Sequence, residues 1–140
     1  FLEYFYSIRR MLKRDGRALI HSIVKKNASR TNDWINKYIF PGGSIPRVED
    51  MVEAAESAGL KLVSAPFLHK SQNYARTLEL WRERFNAAYP VLDHNRYDER
   101  FRRMWNFYLA GSQAAFEALN YEVAQIVVEY DATKTTLSRP

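Results

Sequence analysis

Aromatic side chains are concentrated in residues 32–46, directly before a break in the chain. Trp34 and Tyr38 have helical spacing, and Phe40 comes two residues later. Pro41-Gly42-Gly43 follows directly. Proline removes a backbone donor and fixes φ, while glycine admits positive φ, so a helix must end here. A short aromatic helix on a glycine hinge could serve as a lid over an apolar ligand. The same pattern is typical of a core-packed helix followed by an ordinary turn, and spacing alone leaves both interpretations open.

Other residue types suited to chemistry are isolated. His21 lies in the middle of an otherwise apolar segment, where a lone histidine is most often a hydrogen-bonded core residue. Tyr74 begins a helical pattern, in which it could donate a hydrogen bond or pack against the lid. Trp81, Trp105 and Tyr108 have helical spacing typical of core packing. No two histidines have metal-ligand spacing, and no carboxylate pair suggests acid–base chemistry, so no metal site is predicted.

The elements that would position these residues can be read from apolar periodicity. Helices are expected over residues 1–13, 46–59, 74–89 and 98–119, in addition to the lid, which Asn32 or Asp33 would cap. Strands are expected at 18–24, 60–67 and 121–130, the first largely buried and the second interrupted by Pro66. Helix, glycine and buried strand is the repeat of an α/β fold.

Composition limits the class of protein. The 140 residues contain 46% hydrophobic and 26% charged residues and no cysteine, which indicates one globular domain without disulfides. No apolar run approaches the ~20 residues of a membrane span, and no signal peptide is visible, so a cytoplasmic location is expected. The net charge of +5 is scattered and no nucleic-acid motif accompanies it. It therefore indicates a solvated surface or, alternatively, contact with phospholipid headgroups at a membrane surface.

Four segments, in this order along the chain, resemble the cyclopropane-fatty-acyl-phospholipid synthase family of S-adenosylmethionine-dependent methyltransferases, which includes mycolic acid cyclopropane synthase-like members. They are His21-Ser22-Ile23, residues 34–43 with Ile45-Pro46, residues 74–78 with Trp81, and residues 98–105 with Tyr108-Leu109. The resemblance extends to about Tyr130.

This resemblance implies the C-terminal portion of a class I, Rossmann-like methyltransferase sheet, with about three strands, an inserted helical lid and two long helices. Residues 1–130 would form that part of one domain, and 131–140 a polar tail. The strands would be the fifth, sixth and seventh of the fold, the last one antiparallel. In the family the S-adenosylmethionine site lies on earlier strands, and none of the five glycines here forms a glycine-rich turn between strand and helix. No cofactor-binding residue is therefore expected, and the chain alone is expected to be inactive.

The resemblance also implies a reaction and a site. The family transfers a methyl group to the double bond of an unsaturated phospholipid acyl chain, and a base then removes a proton so that a cyclopropane ring closes. His21, the backbone N–H of Ile23 and Tyr74 match positions that bind the bicarbonate base. The aromatic wall of the acyl pocket would be formed by Trp34, Tyr38, Phe40, Trp81, Trp105 and Tyr108. Ser112 departs from the cysteine that many members carry there, which affects pocket packing more than mechanism.

Two other functions stay open. Relatives with this scaffold methylate small amines and need no deprotonation step. A non-catalytic module that binds lipid or a partner is the third possibility. Loss of a preceding strand would leave the edge of segment 18–24 unpaired, so either a missing N-terminal half or self-association is expected to cover it.

Overall fold

A computed structural model describes residues 1–27 and 29–134, and its tertiary contacts divide the chain into two compact units. The first, a sheet unit, contains residues 1–30, 44–68 and those from 123 onwards. The second, a helical unit, contains residues 31–43 and 69–122. Residues 135–140 of the predicted polar tail lie outside the described residues.

The elements follow one another in a mixed α/β order. They are α1 (Leu2–Met11), β1 (Arg17–Val24), β2 (Ser29–Arg30), α2 (Asp33–Tyr38), β3 (Ser44–Ile45), α3 (Val48–Ser57), β4 (Leu60–Leu62), β5 (Phe67–His69), α4 (Ser71–Ala88), a 3-10 turn (Tyr89–Val91), α5 (Glu99–Ala118) and β6 (Glu122–Tyr130).

The main sheet is organised around β6. This strand lies between β1 and β4, and β5 also pairs with it. It runs antiparallel to β4, with Leu60 opposite Tyr130 and Leu62 opposite Val128, as expected for the last strand. Strands β2 and β3 form a separate antiparallel pair. Ala124, Ile126 and Val128 are completely buried because β6 is the central strand of the path.

The core of the sheet unit joins α1 and α3 to this sheet. Phe5 and Val24 are buried, together with Met51, Ala55 and Ala58 from the predicted inward stripe of α3. The helix begins at Val48, two residues after Pro46, because Arg47 acts as its N-cap. The predicted apolar stripe is confirmed there.

Two strand predictions were wrong in detail. The predicted strand 60–67 is two short strands, separated by four residues that include Pro66, which has no N–H to donate to a ladder. The predicted burial of β1 is limited to Ile20 and Val24, and Leu19 is 61% exposed. The alternating pattern arises because β1 ends the strand path and the core covers one of its faces.

The helical unit is built on α4 and α5. Asp98 Oδ1 caps α5 by accepting the Phe101 N–H at 2.7 Å. Leu78 and Leu109 are buried, and Asn86 and Asn106 exchange side-chain hydrogen bonds of 2.7 and 3.1 Å. Over residues 1–27 and 29–134, no helix is both long and apolar enough to cross a membrane.

Candidate functional site

The aromatic helix α2 is held at both ends by asparagine side chains. Asn32 Oδ1 accepts the Ile35 N–H at 2.8 Å, and Asn36 Oδ1 accepts the Gly42 N–H at 2.7 Å. No residue of α2 is buried, so the core-helix interpretation is wrong. Its exposure supports the lid interpretation.

The turn after α2 requires its two glycines for different reasons. Gly42 has φ +74°, a conformation that L side chains rarely adopt, although a Cβ added there would meet no atom within 4 Å. A Cβ on Gly43 would lie 3.0 Å from the Phe40 carbonyl oxygen. The carbonyl of Gly43 accepts hydrogen bonds from both the backbone N–H and the hydroxyl of Thr31, at 3.3 and 3.1 Å. These hydrogen bonds thus join the two ends of segment 31–43.

Three of the predicted pocket residues form one continuous aromatic wall. Phe40 contacts Tyr108 edge-on with ring centroids 6.1 Å apart, and Trp105 lies 5.0 Å from Tyr108. Phe101 extends the wall by stacking on Trp105 at 5.9 Å. These α5 residues recur at helical spacing and therefore share one face.

Tyr74 lies next to this wall. Its ring centroid is 4.7 Å from Phe116 and 6.2 Å from Trp81. Trp81 is another of the predicted pocket residues, and it contacts Tyr74. Burial raises the pKa of the Tyr74 hydroxyl above its ordinary value. Burial, followed by the nearby Tyr74, also raises the pKa of Tyr108, while a hydrogen bond with Ser112 opposes the shift. Both phenols are consequently protonated near neutral pH and can donate hydrogen bonds.

The other two predicted pocket residues take part in a second arrangement. Trp34 contacts Tyr38 at 5.6 Å and Phe107 at 4.7 Å between ring centroids. Together with three further α5 side chains, these rings line an open cleft of about 470 Å³. Those three side chains are Arg100, Arg103 and Met104. Phe107 was not predicted, because the predicted apolar stripe of α5 lies on another helix face, which contains Phe101, Trp105 and Tyr108.

His21 is exposed on β1, so the core interpretation of this histidine is wrong. Gln125 Nε2 on β6 lies 3.3 Å from His21 Nδ1. The amide and the imidazole are within hydrogen-bond distance, and the tautomer of the ring decides which of the two groups donates. Gln125 was not predicted, because the pairing of β1 with β6 is not visible in sequence periodicity.

Ile23, predicted to act through its backbone N–H, lies two residues further along β1 and is half-buried. The neighbouring Ser22 Oγ donates to the Ile23 carbonyl at 3.0 Å. His21 and Ile23 belong to the sheet unit and Tyr74 to the helical unit. Within the described ranges, no group of three His, Asp or Glu side chains is placed to hold a metal ion.

The comparison with solved structures defines the class. The cyclopropane synthase MmaA2 of Mycobacterium tuberculosis superposes with a TM-score of 0.76 at 23% identity, over 91% of this chain and 48% of that chain. The fold is therefore the α/β fold of the cyclopropane synthase methyltransferases, as the sequence predicted.

Sequence comparison then gives the family. Residues 1–126 match the mycolic acid cyclopropane synthetase family, and the chain belongs to that family. It is 38% identical over 125 residues to the cyclopropane-fatty-acyl-phospholipid synthase of Escherichia coli K12, covering 89% of this chain and 32% of the relative. It is also 38% identical over 129 residues to the tuberculostearic acid methyltransferase UfaA1 of M. tuberculosis, covering 88% and 30%. The chain thus spans about a third of the length of these relatives.

Proposed function

We propose that this chain is the lid-bearing segment of a lipid methyltransferase that converts the double bond of an unsaturated phospholipid acyl chain into a cyclopropane ring. The observation that carries the proposal is the continuous aromatic wall of Phe40, Tyr108, Trp105 and Phe101 in a member of this family. An acyl chain needs an apolar surface of this kind, and no residue of the adjoining α2 is buried.

The wall also suits the charge that the reaction creates. When an alkene carbon takes a methyl group from a sulfonium, the neighbouring carbon acquires cationic character. The faces of Trp and Tyr rings attract a cation by their quadrupole. Trp105 and Tyr108, with ring centroids 5.0 Å apart, can therefore stabilise this charge better than aliphatic side chains of equal size.

The groups that would hold the bicarbonate base are hydrogen-bond donors. When bound, bicarbonate would accept the proton that leaves the added methyl group as the ring closes. His21 has a ring N–H of the kind that hydrogen-bonds an oxyanion, and Tyr74 has a hydroxyl whose pKa is raised by burial. We assign His21, the backbone N–H of Ile23 and Tyr74 to bicarbonate because they match the family positions for this ion, and all three are groups that can donate to an oxyanion.

We assign S-adenosylmethionine binding to protein outside these 140 residues. The sequence has no glycine-rich turn between a strand and a helix, which is where such a fold holds a nucleotide-type cofactor. The position of β1 at one end of the strand path supports a strand of the cofactor-binding part, or of a second copy, as its neighbour.

The test is a chimaera in which this chain replaces the matching C-terminal third of the E. coli relative. It is incubated with radiolabelled S-adenosylmethionine and vesicles of monounsaturated phosphatidylglycerol. We expect labelled cyclopropane fatty acid, and His21→Ala and Tyr74→Phe should each reduce the rate by about 10²-fold or more. Circular dichroism and cofactor titration establish that each variant is folded and binds S-adenosylmethionine.

A folded, cofactor-binding chimaera that leaves lipid unlabelled would contradict the proposal. Labelling of a small amine instead would support the amine-methyltransferase function, and vesicle binding without any transfer would support a non-catalytic module. Calorimetric titration of S-adenosylmethionine into the unmodified chain tests the cofactor assignment separately. We expect no binding, and a clear binding isotherm would place the cofactor site within this chain.

A further inference from the structure

The cleft between α2 and α5 differs in chemistry from the aromatic wall. Its apolar side consists of Trp34, Tyr38, Met104 and Phe107, and Phe107 is 62% exposed. Large exposed aromatic side chains that form one surface are unusual in a monomeric protein and mark a binding site. The aromatic wall described above uses other side chains of α5, so the cleft is a second aromatic surface on this helix.

Three cations border these rings. Arg100 and Arg103 line the cleft, and Lys37 Nζ lies 5.1 Å from the centroid of the Tyr38 ring. Neither arginine forms an ion pair in the described part of the chain, whereas the adjacent Arg102 pairs with Glu99 at 3.5 Å. Both arginines are exposed on the same helix face, since positions three apart are neighbours. Their charge is thus available to an external anion.

We propose that this cleft docks the chain on an anionic phospholipid surface, with the two arginines on headgroup phosphates and the aromatic rings at the headgroup level. The inference rests on the proposed function, which requires a phospholipid substrate, and adds the surface that would meet the bilayer. Trp and Tyr favour the membrane interface because their rings are amphipathic, and arginine binds phosphate in a bidentate way.

The composition of the cleft favours a lipid surface over other anionic partners. Four apolar side chains stand beside the cations, whereas a nucleic-acid surface needs a basic groove that follows the backbone. A bilayer offers both a negative surface and an apolar interior to the same patch. The short α2 brings the aromatic side chains and Lys37 to one place, where α5 supplies the arginines.

Sedimentation with vesicles tests the docking surface apart from the reaction. The vesicles contain only saturated acyl chains, which cannot accept a methyl group, and are made of either phosphatidylglycerol or phosphatidylcholine. We expect the unmodified chain to bind phosphatidylglycerol and not phosphatidylcholine. Arg100→Glu/Arg103→Glu should weaken binding by at least about tenfold. Phe107→Ser, at an exposed position, should weaken it without unfolding the chain.

The matched control is Lys13→Glu/Arg14→Glu, which removes the same formal charge from the exposed turn between α1 and β1. It should retain at least about half of the binding, since long-range charge contributes less than contact with the surface. Equal losses in the two double variants, or binding unaffected by Arg100→Glu/Arg103→Glu, would overturn the proposal. Equal binding to phosphatidylcholine would overturn it as well. Methyl transfer by the chimaera does not enter this test, so the two proposals can fail independently.

Discussion

Gln125 on β6 presents its side-chain amide to His21 on β1, with Nε2 and Nδ1 3.3 Å apart. This contact joins residues 104 positions apart in the sequence through neighbouring strands. Donation from the amide NH₂ to Nδ1 would select the tautomer of the neutral ring that carries its proton on Nε2.

Replacing Gln125 by Glu should reverse this selection. A carboxylate only accepts, so it should draw the proton of His21 onto Nδ1. Nitrogen chemical shifts of ¹⁵N-labelled imidazole report the protonated nitrogen directly. We expect Nδ1 to be unprotonated in the neutral ring of the original chain and protonated in the Gln125→Glu variant. Gln72→Glu, on the exposed surface of α4, should leave the spectrum unchanged, and an unprotonated Nδ1 in Gln125→Glu would contradict the assignment.

Alkaline pH should destabilise the chain through Tyr74 and Tyr108. Their folded-state pKa values are raised above the ordinary 10.0, so the folded protein binds more protons than the unfolded chain once the pH exceeds about 10. The free energy of unfolding should therefore be maintained below pH 10 and decrease as the pH rises through the folded pKa values. Urea unfolding between pH 8.5 and 11.5 measures this slope.

Phenylalanine at these two positions removes the ionising group. Tyr74→Phe/Tyr108→Phe should flatten the alkaline slope, whereas Tyr4→Phe, at a 53% exposed ring, should not. An identical slope in the original chain and the double variant would show that other groups cause the loss of stability at alkaline pH.

The amide pair of Asn86 and Asn106 should couple α4 to α5. Each single change to Ala leaves a half-buried amide without its partner and should cost about 1–3 kcal/mol. The double variant should cost less than the two losses together, because no amide oxygen is then left without the donor from the facing helix. A double-mutant cycle by urea unfolding measures the coupling, with Asn95→Ala on the exposed loop as the control. Simple additivity would contradict a direct interaction.

Replacing glycine by alanine should lower the free energy of unfolding at Gly42 and raise it at Gly111. At Gly42 the positive φ should cost about 1–2 kcal/mol and speed exchange of the Ile39 amide, which bonds to the Ile35 carbonyl. At Gly111, in the exposed middle of α5 with nothing within 4 Å of the added methyl, alanine should stabilise by about 0.5–1 kcal/mol. Hydrogen exchange measures the first effect and urea unfolding the second. Equal effects of the two changes would contradict the assigned conformation of Gly42.

Local signals in the sequence were sufficient for much of the fold. Asp98 and the apolar stripe behind it predict α5 almost to the residue, since capping and periodicity act within a few positions. Asn32, one of the two predicted alternatives, caps α2. The β-branched and aromatic run 121–130 predicts β6 to within one residue, because such residues favour strands.

Features that depend on tertiary pairing could not be predicted in this way. The exposure of His21 and its contact with Gln125 follow from the position of β1 at the end of the strand path, which periodicity does not encode. The division of α5 into two aromatic faces was also missed. The predicted stripe consists of Phe101, Trp105 and Tyr108. Phe107 lies near two arginines and therefore resembles an ordinary surface position in the sequence. The partner of each face comes from segment 31–43, much earlier in the chain.

The hydrogen bonds between Thr31 and Gly43 have a consequence for how this family can diversify. Because the entry and exit of the segment meet at one carbonyl, its length and sequence can change without displacing the strands and helices on either side. Loop-closure entropy rises only slowly with length, so insertions there carry a small thermodynamic penalty. Segment 31–43 is accordingly a closed loop whose aromatic side chains can be varied between two fixed ends.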